Sequence, residues 1–310
     1  MKTTDRRSVL KTGLGAFAGF ISVPLLGNLA SCSKQGTKLT THTLGDRVTL
    51  ITGAPGNVIA LTSTDGIVLI DSGSPELASS VKLTLDGATV SALFNTHYHG
   101  DQTGGNALFG EDGAAIHAHV ITRQWLATDY YLPEEDRWAA AQPEAAWPTE
   151  TFREKAEMTA GAESIEYGYL LEAHTRGDIY VYLRDSNILA VGDVASPERD
   201  PVHDWYAGGW LGGRVDALDD LLALANDQTK IVPAYGPVMT RAELQLERDI
   251  MAKLYDRTTD LTGKGNSAQD MLDAGVLNDV DRKFADPYRF LYEVAKGHWA
   301  HYTNFGGNIV

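Results

Sequence analysis

Apolar residues in the first third of the chain recur in short runs separated by turn-forming residues. Three of these runs are rich in β-branched residues: 48–52, 57–62 and 67–70. Asp65-Gly66 stands between the last two and is typical of a hairpin turn. The pattern therefore predicts an antiparallel meander. A fourth apolar run, at 90–94, predicts a buried strand, and residues 75–85 predict a helix before it.

The rest of the chain alternates between strand-like and helix-like patterns. Further strands are predicted at 114–119, 167–171, 179–183, 188–191 and 231–233. Residues 124–166 are rich in Ala, Glu, Pro and Trp, and we predict a helical insertion there whose loops bound a substrate cleft. Helices are predicted from Val120, over 215–225 and from Thr240 onward. This alternation indicates the α/β class.

Composition limits the possible functions of the chain. With 310 residues and 43% apolar content, it can bury the core of one large domain or of two smaller ones, and we favour one domain with a helical tail. Its formal charge of −15 argues against nucleic acid as a partner, because binding phosphates requires a basic surface. Cys32 is the single cysteine, so an internal disulfide is excluded.

The N-terminus has the composition of an export signal. Lys2 and Arg6-Arg7 precede an apolar stretch at 14–29, which ends in Ala30-Ser31-Cys32. A basic start, an apolar middle and small residues at a cleavage point predict a signal peptide over residues 1–31. The alternative is an uncleaved membrane anchor, although the apolar stretch is short for one.

Two parts of this segment resemble known export motifs. Arg6-Arg7 resembles a twin-arginine signal, although Asp5 and Val9 depart from its usual residues. Residues 29–32 resemble a bacterial lipobox, which implies a lipidated Cys32, a membrane anchor and an exported protein on the periplasmic or extracellular side. In a Gram-negative host, Ser33 after the cysteine implies the outer membrane. Residues 32–44 are polar and predict a tether.

The strongest chemical signal follows the buried strand at 90–94. His97, His99 and Asp101 lie two residues apart on a loop flanked by glycines. Two imidazoles and a carboxylate on such a loop can surround one metal ion. The alternative is a polar patch at a sheet edge. His117 and His119 repeat the same spacing and are rival ligands.

The order His97, His99, Asp101 resembles the metallo-β-lactamase superfamily, whose motif reads His-x-His-x-Asp-His. This chain departs at the last position, where it has Gln102. The resemblance implies that His174, in a His-Thr-x-Gly-Asp context, completes a three-histidine site. From composition alone His174 is a lone histidine in a turn.

The resemblance extends to three further positions. Asp71 matches an aspartate that supports the metal loop, and Asp193 matches one that bridges two metal ions. The alternative for Asp71 is a helix-capping or turn aspartate, and the alternative for Asp193 is a turn aspartate after a strand. Tyr235 stands where the superfamily has a histidine that binds the second metal. His203, in a long loop at 196–213, either touches substrate or is solvated.

These matches imply one intact metal position. His97, His99 and His174 would bind Zn²⁺ and leave a place for a water whose pKa falls to about 7. Gln102 and Tyr235 are weak replacements for histidine, so we predict one tightly bound metal and a second site that is weak or empty. The resemblance implies the superfamily's four-layer αββα sandwich, with the metal at one edge.

The predicted function is therefore metal-dependent hydrolysis of an ester, thioester, lactam or similar bond in a small-molecule substrate. Asp101 or Asp193 would orient the water or act as general base, and Tyr235 and Gln102 would donate hydrogen bonds. An iron-dependent enzyme of the same fold and a non-catalytic metal- or ligand-binding lipoprotein are the alternatives.

The domain boundaries follow the same resemblance. We predict the metallo-β-lactamase-like domain at 45–240 and a helical C-terminal extension at 241–310. The extension carries an apolar stripe that includes Ile250, Met251 and Leu254. Its last 44 or so residues are rich in aromatic side chains and predict core packing, a lid or a homodimer contact.

Overall fold

A computed structural model describes residues 39–303 of the chain. The predicted signal peptide and Cys32 lie outside these residues. The first strand, β1 (Thr40–Gly45), begins inside the segment for which the sequence predicts a tether. Among the helices of the described residues, none has the length and apolar character needed to cross a bilayer.

The N-terminal half forms a sheet with the strand order β1-β2-β3-β4-β5-β6-β9. After β1, its strands are β2 (Val48–Thr52), β3 (Val58–Ser63), β4 (Gly66–Ile70), β5 (Val90–Phe94), β6 (Ala115–His119) and β9 (Glu150–Phe152). Strands β1 to β4 pair antiparallel, which confirms the predicted meander. Strands β4, β5, β6 and β9 pair parallel, so their carboxyl ends meet at one edge.

The second sheet has the order β10-β11-β12-β13-β14. Its strands are β10 (Lys155–Ala160), β11 (Glu163–Tyr169), β12 (Ile179–Leu183), β13 (Ile188–Gly192) and β14 (Lys230–Pro233). The first four strands pair antiparallel, and β14 joins β13 in parallel. Strands β12 and β13 are buried along their whole length, as expected for strands covered on both faces.

Helices cover the outer face of each sheet. They are α1 (Ala78–Leu83), α2 (Gly100–Thr103), α3 (Asn106–Glu111), α4 (Val120–Ala127), α5 (Leu211–Leu224), α6 (Arg241–Gly263), α7 (Ala268–Asp273) and α8 (Pro287–Thr303). One apolar core lies between the sheets, a second lies under α1 and α3, and a third joins the second sheet to α5, α6, α7 and α8. The layers are helix, sheet, sheet and helix, as the family resemblance implies.

The C-terminal helices pack on the core of the same chain. Helix α6 begins with a capping box in which Thr240 and Glu243 bond each other's backbone amides. Ile250, Met251 and Leu254 are buried in the third core, so the predicted apolar stripe serves packing. In α8, Phe290 is buried in that core as well, whereas 48% of Tyr288 is exposed.

The predicted helical insertion at 124–166 is wrong. Beyond the end of α4, this segment consists of the hairpin β7 (Tyr130–Leu132) and β8 (Arg137–Ala139), a turn of 3₁₀ helix, and strands β9, β10 and the start of β11. Its Ala and Glu content favours helix, but Pro133, Pro143 and Pro148 interrupt any helix. Pairing of β10 with β11 then overrides the weak local preference.

Candidate metal centre

Three histidines meet at the edge where the carboxyl ends of the parallel strands lie. His97 and His99 follow β5 directly, and His174 lies in the turn between β11 and β12. One ring nitrogen from each histidine lies within 4.8 Å of the other two. Nε2 of His174 is 3.1 Å from Nδ1 of His99, about the separation of two nitrogens that share one zinc ion.

The chemical state of these rings fits a metal ion. Nε2 of His97 is buried and has no hydrogen-bond partner among the described residues. Burial lowers the pKa of His97 to about 4 and the pKa of His174 well below its usual value. Both rings are therefore neutral near pH 7, which is the form that binds metals. A divalent ion at this place would satisfy Nε2 of His97, which otherwise has no partner among the described residues.

Asp204 orients His99. Its carboxylate lies 3.0 Å from Nε2 of His99 and 2.5 Å from the hydroxyl of Tyr98. Burial opposes ionisation of Asp204, but the bonds from His99 and Tyr98 outweigh it and lower its pKa to about 2. Asp204 is therefore an anion that accepts a hydrogen bond from Nε2–H of His99, which leaves Nδ1 free to bind a metal. Sequence reasoning missed Asp204.

His174 is held in a similar way by the backbone. Its Nδ1 lies 2.9 Å from the carbonyl of Val202, so Nε2 is the nitrogen that faces His99. Asp178 closes the turn, because its Oδ2 accepts the amides of His174 at 2.6 Å and of Thr175 at 2.7 Å. The His-Thr-x-Gly-Asp sequence thus encodes both a metal-binding side chain and the carboxylate that shapes its loop.

Asp71 supports the loop that carries His97. Its two carboxylate oxygens accept hydrogen bonds from the amide and the hydroxyl of Thr96, both at 2.8 Å. Asp71 has a φ of 59°, a left-handed conformation that turns the chain sharply at the end of β4. It lies where the resemblance places it, beside the first histidine.

Asp193 faces the histidines, but the guanidinium of Arg199 is bound to it. Its Oδ2 is 3.8 Å from Nε2 of His97 and 3.7 Å from Nε2 of His174. The same oxygen accepts a hydrogen bond from Nη2 of Arg199. Its Oδ1 is buried without a hydrogen-bond partner among the described residues. The sequence analysis did not identify Arg199, because only the folded structure shows that it pairs with Asp193.

Asp101, Gln102 and Tyr235 form a second group beside the histidines. The hydroxyl of Tyr235 donates to Oδ2 of Asp101, and Nε2 of Gln102 lies 3.4 Å from the same oxygen. Burial and the carboxylate of Asp101 raise the pKa of Tyr235, so its phenol stays protonated. Gln102 is fully buried, and a Cβ at Gly56 would be 2.4 Å from its Nε2.

The other candidate histidines lie outside this cluster. His117 stacks on Phe94 with 4.8 Å between ring centroids. His119 stacks on Tyr169 at 4.0 Å and accepts the amide of Ile121 at the start of α4. His203, predicted to be solvated or to touch substrate, is 1% exposed and lies against Phe290. Each of these three rings packs against another aromatic side chain.

The 193–210 loop, which carries Arg199 and Asp204, is held by the C-terminal helices. The amide of Ser196 donates to Glu247 of α6 at 2.8 Å, and the amide of His203 donates to Glu293 of α8 at 3.0 Å. Arg282 donates to the carbonyls of Ser196 and Arg199. Glu247 and Glu293 are both buried. The helical extension therefore shapes one side of the site.

A groove of about 750 Å³ adjoins the site. The β2–β3 loop lines one side of it through Gly53, Pro55 and Asn57, and Arg199 and Tyr235 line the other. A groove of this size accommodates a small organic molecule beside Arg199 and Tyr235.

Comparisons with known proteins agree with this architecture. A family profile described as the metallo-beta-lactamase superfamily matches residues 51–236. The chain is 26% identical over 265 residues to the alpha subunit of a 2,4-dinitroanisole O-demethylase from Nocardioides sp. (strain JS1661), covering 82% of this chain and 71% of that protein. It is 24% identical over 206 residues to a type 2 metallo-beta-lactamase from Bacillus cereus, covering 64% of this chain and 73% of that protein.

Two solved structures show the same fold. A metallo-beta-lactamase from Pontibacter korlensis superposes with a TM-score of 0.56 at 20% identity, over 69% of this chain and 99% of that chain. A stereoselective inverting sec-alkylsulfatase from Pseudomonas sp. superposes with a TM-score of 0.62 at 17% identity. That match covers 87% of this chain and 51% of the sulfatase chain.

Proposed function

The chain belongs to the metallo-beta-lactamase superfamily, and from this premise we propose that it is a metal-dependent hydrolase of a small-molecule ester, thioester, lactam or similar compound. One observation carries the proposal: the buried, unpartnered Nε2 of His97 faces ring nitrogens of His99 and His174. Three histidines whose ring nitrogens converge, with His99 oriented by Asp204, are a donor set suited to a catalytic zinc ion.

We propose one zinc ion per chain, held by these three histidines. Zinc in such a site supplies a water of lowered pKa and polarises the bond to be cleaved. A second metal ion has poor ligands here, because a protonated Tyr235 and the amide of Gln102 replace histidines. Arg199 already brings positive charge to Asp193. The second position is therefore weak or empty.

Asp101 is the best placed general base. One carboxylate oxygen of Asp193 is already occupied by the guanidinium of Arg199. Asp101 instead accepts a hydrogen bond from the neutral phenol of Tyr235. We propose that Tyr235 orients Asp101 and that Asp101 accepts the proton released by the attacking water. Gln102, with an unpartnered Oε1, positions Asp101 from the other side.

The substrate is to be sought among compounds with a cleavable carbon–oxygen or carbonyl bond. The names of the relatives refer to an aryl ether, a lactam and an alkyl sulfate. These three compound classes differ in the bond that would be cleaved, and each belongs to the name of one relative. A panel of aryl esters, thioesters, lactams, alkyl sulfates and aryl methyl ethers therefore covers the chemistry that this site supports.

The test is metal content combined with hydrolysis. Protein produced without residues 1–31 is analysed for metals, and the panel is assayed with the parent chain, His99→Ala and the control His117→Gln. We expect about one zinc per chain and hydrolysis of at least one substrate, both lost in His99→Ala and kept in His117→Gln. Equal turnover in the parent chain and His99→Ala would exclude metal-dependent hydrolysis of those substrates.

Metal identity and turnover also separate the alternatives. Iron in place of zinc would favour an iron-dependent enzyme of the same fold. A non-catalytic binding protein is the second candidate, and it is favoured by the contacts that Tyr235 and Arg199 make with Asp101 and Asp193. It would retain one metal per chain and hydrolyse none of the panel.

We also propose that the chain is exported and anchored through a lipidated Cys32. In the full-length chain, Cys32→Ser is expected to move the protein from the membrane fraction to the soluble fraction. A homodimer through the C-terminal helices remains a proposal and is tested by the mass of the particle in solution.

A further inference from the structure

A cavity of about 280 Å³ adjoins His99. Its walls come from three parts of the chain, namely the β7–β8 hairpin, the 193–210 loop and α8. His99 and Asp204 both line it, and 28% of the His99 side chain is exposed. The groove beside Arg199 and Tyr235, by contrast, is lined by none of the three histidines. This cavity is therefore in direct contact with a candidate metal ligand.

Aromatic rings form much of the wall of this cavity. They belong to Tyr98, Tyr130, Trp205 and Tyr206. Tyr98 stacks on Trp125 with 4.8 Å between ring centroids and meets Tyr130 edge-on at 5.9 Å, so packing fixes its position. The rings of Trp205 and Tyr206 stand at 83° to each other. The face of an aromatic ring carries partial negative charge, which attracts a cation.

Carboxylates outnumber cations among the residues that line the cavity. The carboxylates are Glu134, Glu135, Asp204 and Glu293. Arg289 is the one lysine or arginine among these lining residues, and it donates to both Glu134 and Glu293 at 2.6 Å. At the surface, Arg137 pairs with Glu135. A metal held by His99 would bind Nδ1, whereas Asp204 is bonded to Nε2 and keeps its negative charge at the cavity. The walls therefore favour a positively charged ligand.

The ring of Trp205 already has an ammonium group near it. Nζ of Lys296 in α8 lies 5.5 Å from the centroid of the Trp205 ring, within the range of a cation–π interaction. Lys296 is not one of the residues that line the cavity. A ring that attracts an ammonium group of the protein can also attract one that belongs to a ligand.

We propose that this cavity binds an alkylammonium group. Aromatic faces combined with carboxylates stabilise an organic cation, whereas an anionic ligand would be repelled by Asp204 and the glutamates. The ammonium group belongs to the substrate of the adjoining metal centre or to a separate small molecule, and the experiments below distinguish these two sources. Only the first source rests on the proposed function.

Binding of two ligands of the same shape tests the proposal without turnover. Choline carries a trimethylammonium group, and 3,3-dimethylbutan-1-ol is its uncharged counterpart. Each is titrated in a calorimeter into the purified chain, with and without added zinc. We expect choline to bind about tenfold more tightly than the alcohol. Equal affinities for the two ligands, or no detectable binding of choline, would overturn the proposal.

Three variants assign the preference to this cavity. Trp205→Leu keeps an apolar side chain but removes the aromatic face, and we expect choline to bind about fivefold more weakly while the alcohol is unaffected. Trp138→Leu is the matched control, because Trp138 is 68% exposed and lies outside the cavity. Lys296→Gln removes the ammonium group near Trp205, and we expect choline to bind about twofold more tightly.

The gain in Lys296→Gln cannot arise from a misfolded protein. Equal weakening in Trp205→Leu and Trp138→Leu, or no gain in Lys296→Gln, would contradict the assignment of the cation to this cavity.

Hydrolysis of two matched esters identifies the source of the ammonium group. If it belongs to the substrate, acetylcholine should have a lower KM than 3,3-dimethylbutyl acetate, and Trp205→Leu should remove the difference. Equal KM values alongside a preference for choline would assign the cavity to a separate molecule. If neither ester is cleaved, the proposed function fails for esters, while the binding results on choline stand.

A measurement on the unaltered protein covers variants that fail to fold. The photoreactive cation 4-azidophenyltrimethylammonium is irradiated with the parent chain, and mass spectrometry identifies the labelled peptides. We expect labelling within residues 130–135 or 202–206, and protection by choline but not by 3,3-dimethylbutan-1-ol. Labelling confined to other segments, or equal protection by both ligands, would overturn the proposal.

Discussion

The carboxylate of Asp204 lies 3.0 Å from Nε2 of His99 and thereby determines which nitrogen of His99 faces the other two histidines. The two residues are 105 positions apart in the sequence. Asp204 belongs to the 193–210 loop, and His99 belongs to the loop after β5. The metal-binding geometry therefore depends on contact between two loops from different sheets.

Removing this contact is expected to weaken metal binding. Asp204→Asn leaves a neutral group against His99, so the ring loses its charged acceptor and its fixed tautomer. We expect metal affinity to fall about 10- to 100-fold, measured by competition with a chelator. Asp216→Asn, a matched change on the exposed face of α5, should leave the affinity unchanged. Equal affinity in the parent chain and Asp204→Asn would contradict this role.

Tyr235→Phe removes the hydroxyl group of Tyr235 and keeps its aromatic ring. The ring still supports Arg199, but the hydrogen bond to Asp101 is lost. We expect unchanged metal content and about a tenfold lower kcat on whichever panel substrate is cleaved, because Asp101 is less well oriented. Tyr131→Phe removes a similar hydroxyl–carboxylate pair, with Asp136, on the β7–β8 hairpin and serves as the control. A parallel loss of metal would show that Tyr235 contributes to ligation instead.

The second metal position can be rebuilt. Replacing Gln102 and Tyr235 by histidine restores two nitrogen ligands, yet Arg199 still places a cation against Asp193. We expect this double variant to bind one metal ion, and the triple variant with Arg199→Ala to bind two, as counted by elemental analysis. Two metal ions in the double variant would show that Arg199 does not compete with a metal.

The contact between α6 and the 193–210 loop is expected to be a major source of stability. Glu247 is buried, accepts the amide of Ser196 at 2.8 Å and lies 3.8 Å from Arg282. Glu247→Ala leaves that amide and that guanidinium without their partner, and we expect the free energy of unfolding to fall by about 2–4 kcal/mol in urea. Glu247→Gln keeps an acceptor and should lose less. Equal losses in both variants would point to side-chain volume as the cause.

Stability should also fall in mild acid because of His298. This residue is fully buried, and burial together with the charge of His301 lowers its pKa from 6.5 to about 4. A histidine with a lowered folded-state pKa contributes stability that is present above pH 6.5 and lost as the pH falls toward 4. The loss attributable to His298 is about 3 kcal/mol.

The measurement compares urea unfolding at several pH values between 7 and 4. In His298→Gln, whose amide can still reach Thr258, the decline over this range should be shallower than in the parent chain. An unchanged decline would mean that other buried groups account for the acid sensitivity.

Local patterns were sufficient to predict most of the strands. β2, β5 and β12 lie where the apolar runs place them, because each is a short run bounded by turn residues. The segment 124–166 was not predictable in this way. Its composition favours helix, and the strand β10 forms only because β11 is available to pair with it.

The residues of the site likewise fall into those that a local sequence pattern predicts and those that it does not. His97 and His99 share a compact motif, and His174 is marked by its turn sequence. Arg199 and Asp204 carry no comparable signal, since an arginine or an aspartate in a long loop has no special spacing. Their partners, Asp193 and His99, become neighbours only when the two sheets pack and the loops at their edge meet.

Because the 193–210 loop is bonded to the C-terminal helices, the site cannot form fully until those helices have been synthesised. Ser196 finds its partner 51 residues later in the chain, and His203 finds its partner 90 residues later. A nascent chain that has not yet emerged past Glu293 already contains all three histidines, but the loop that orients His99 lacks its supports. The loop that orients His99 is therefore supported only once the chain has been made as far as Glu293, well beyond the last of the three histidines.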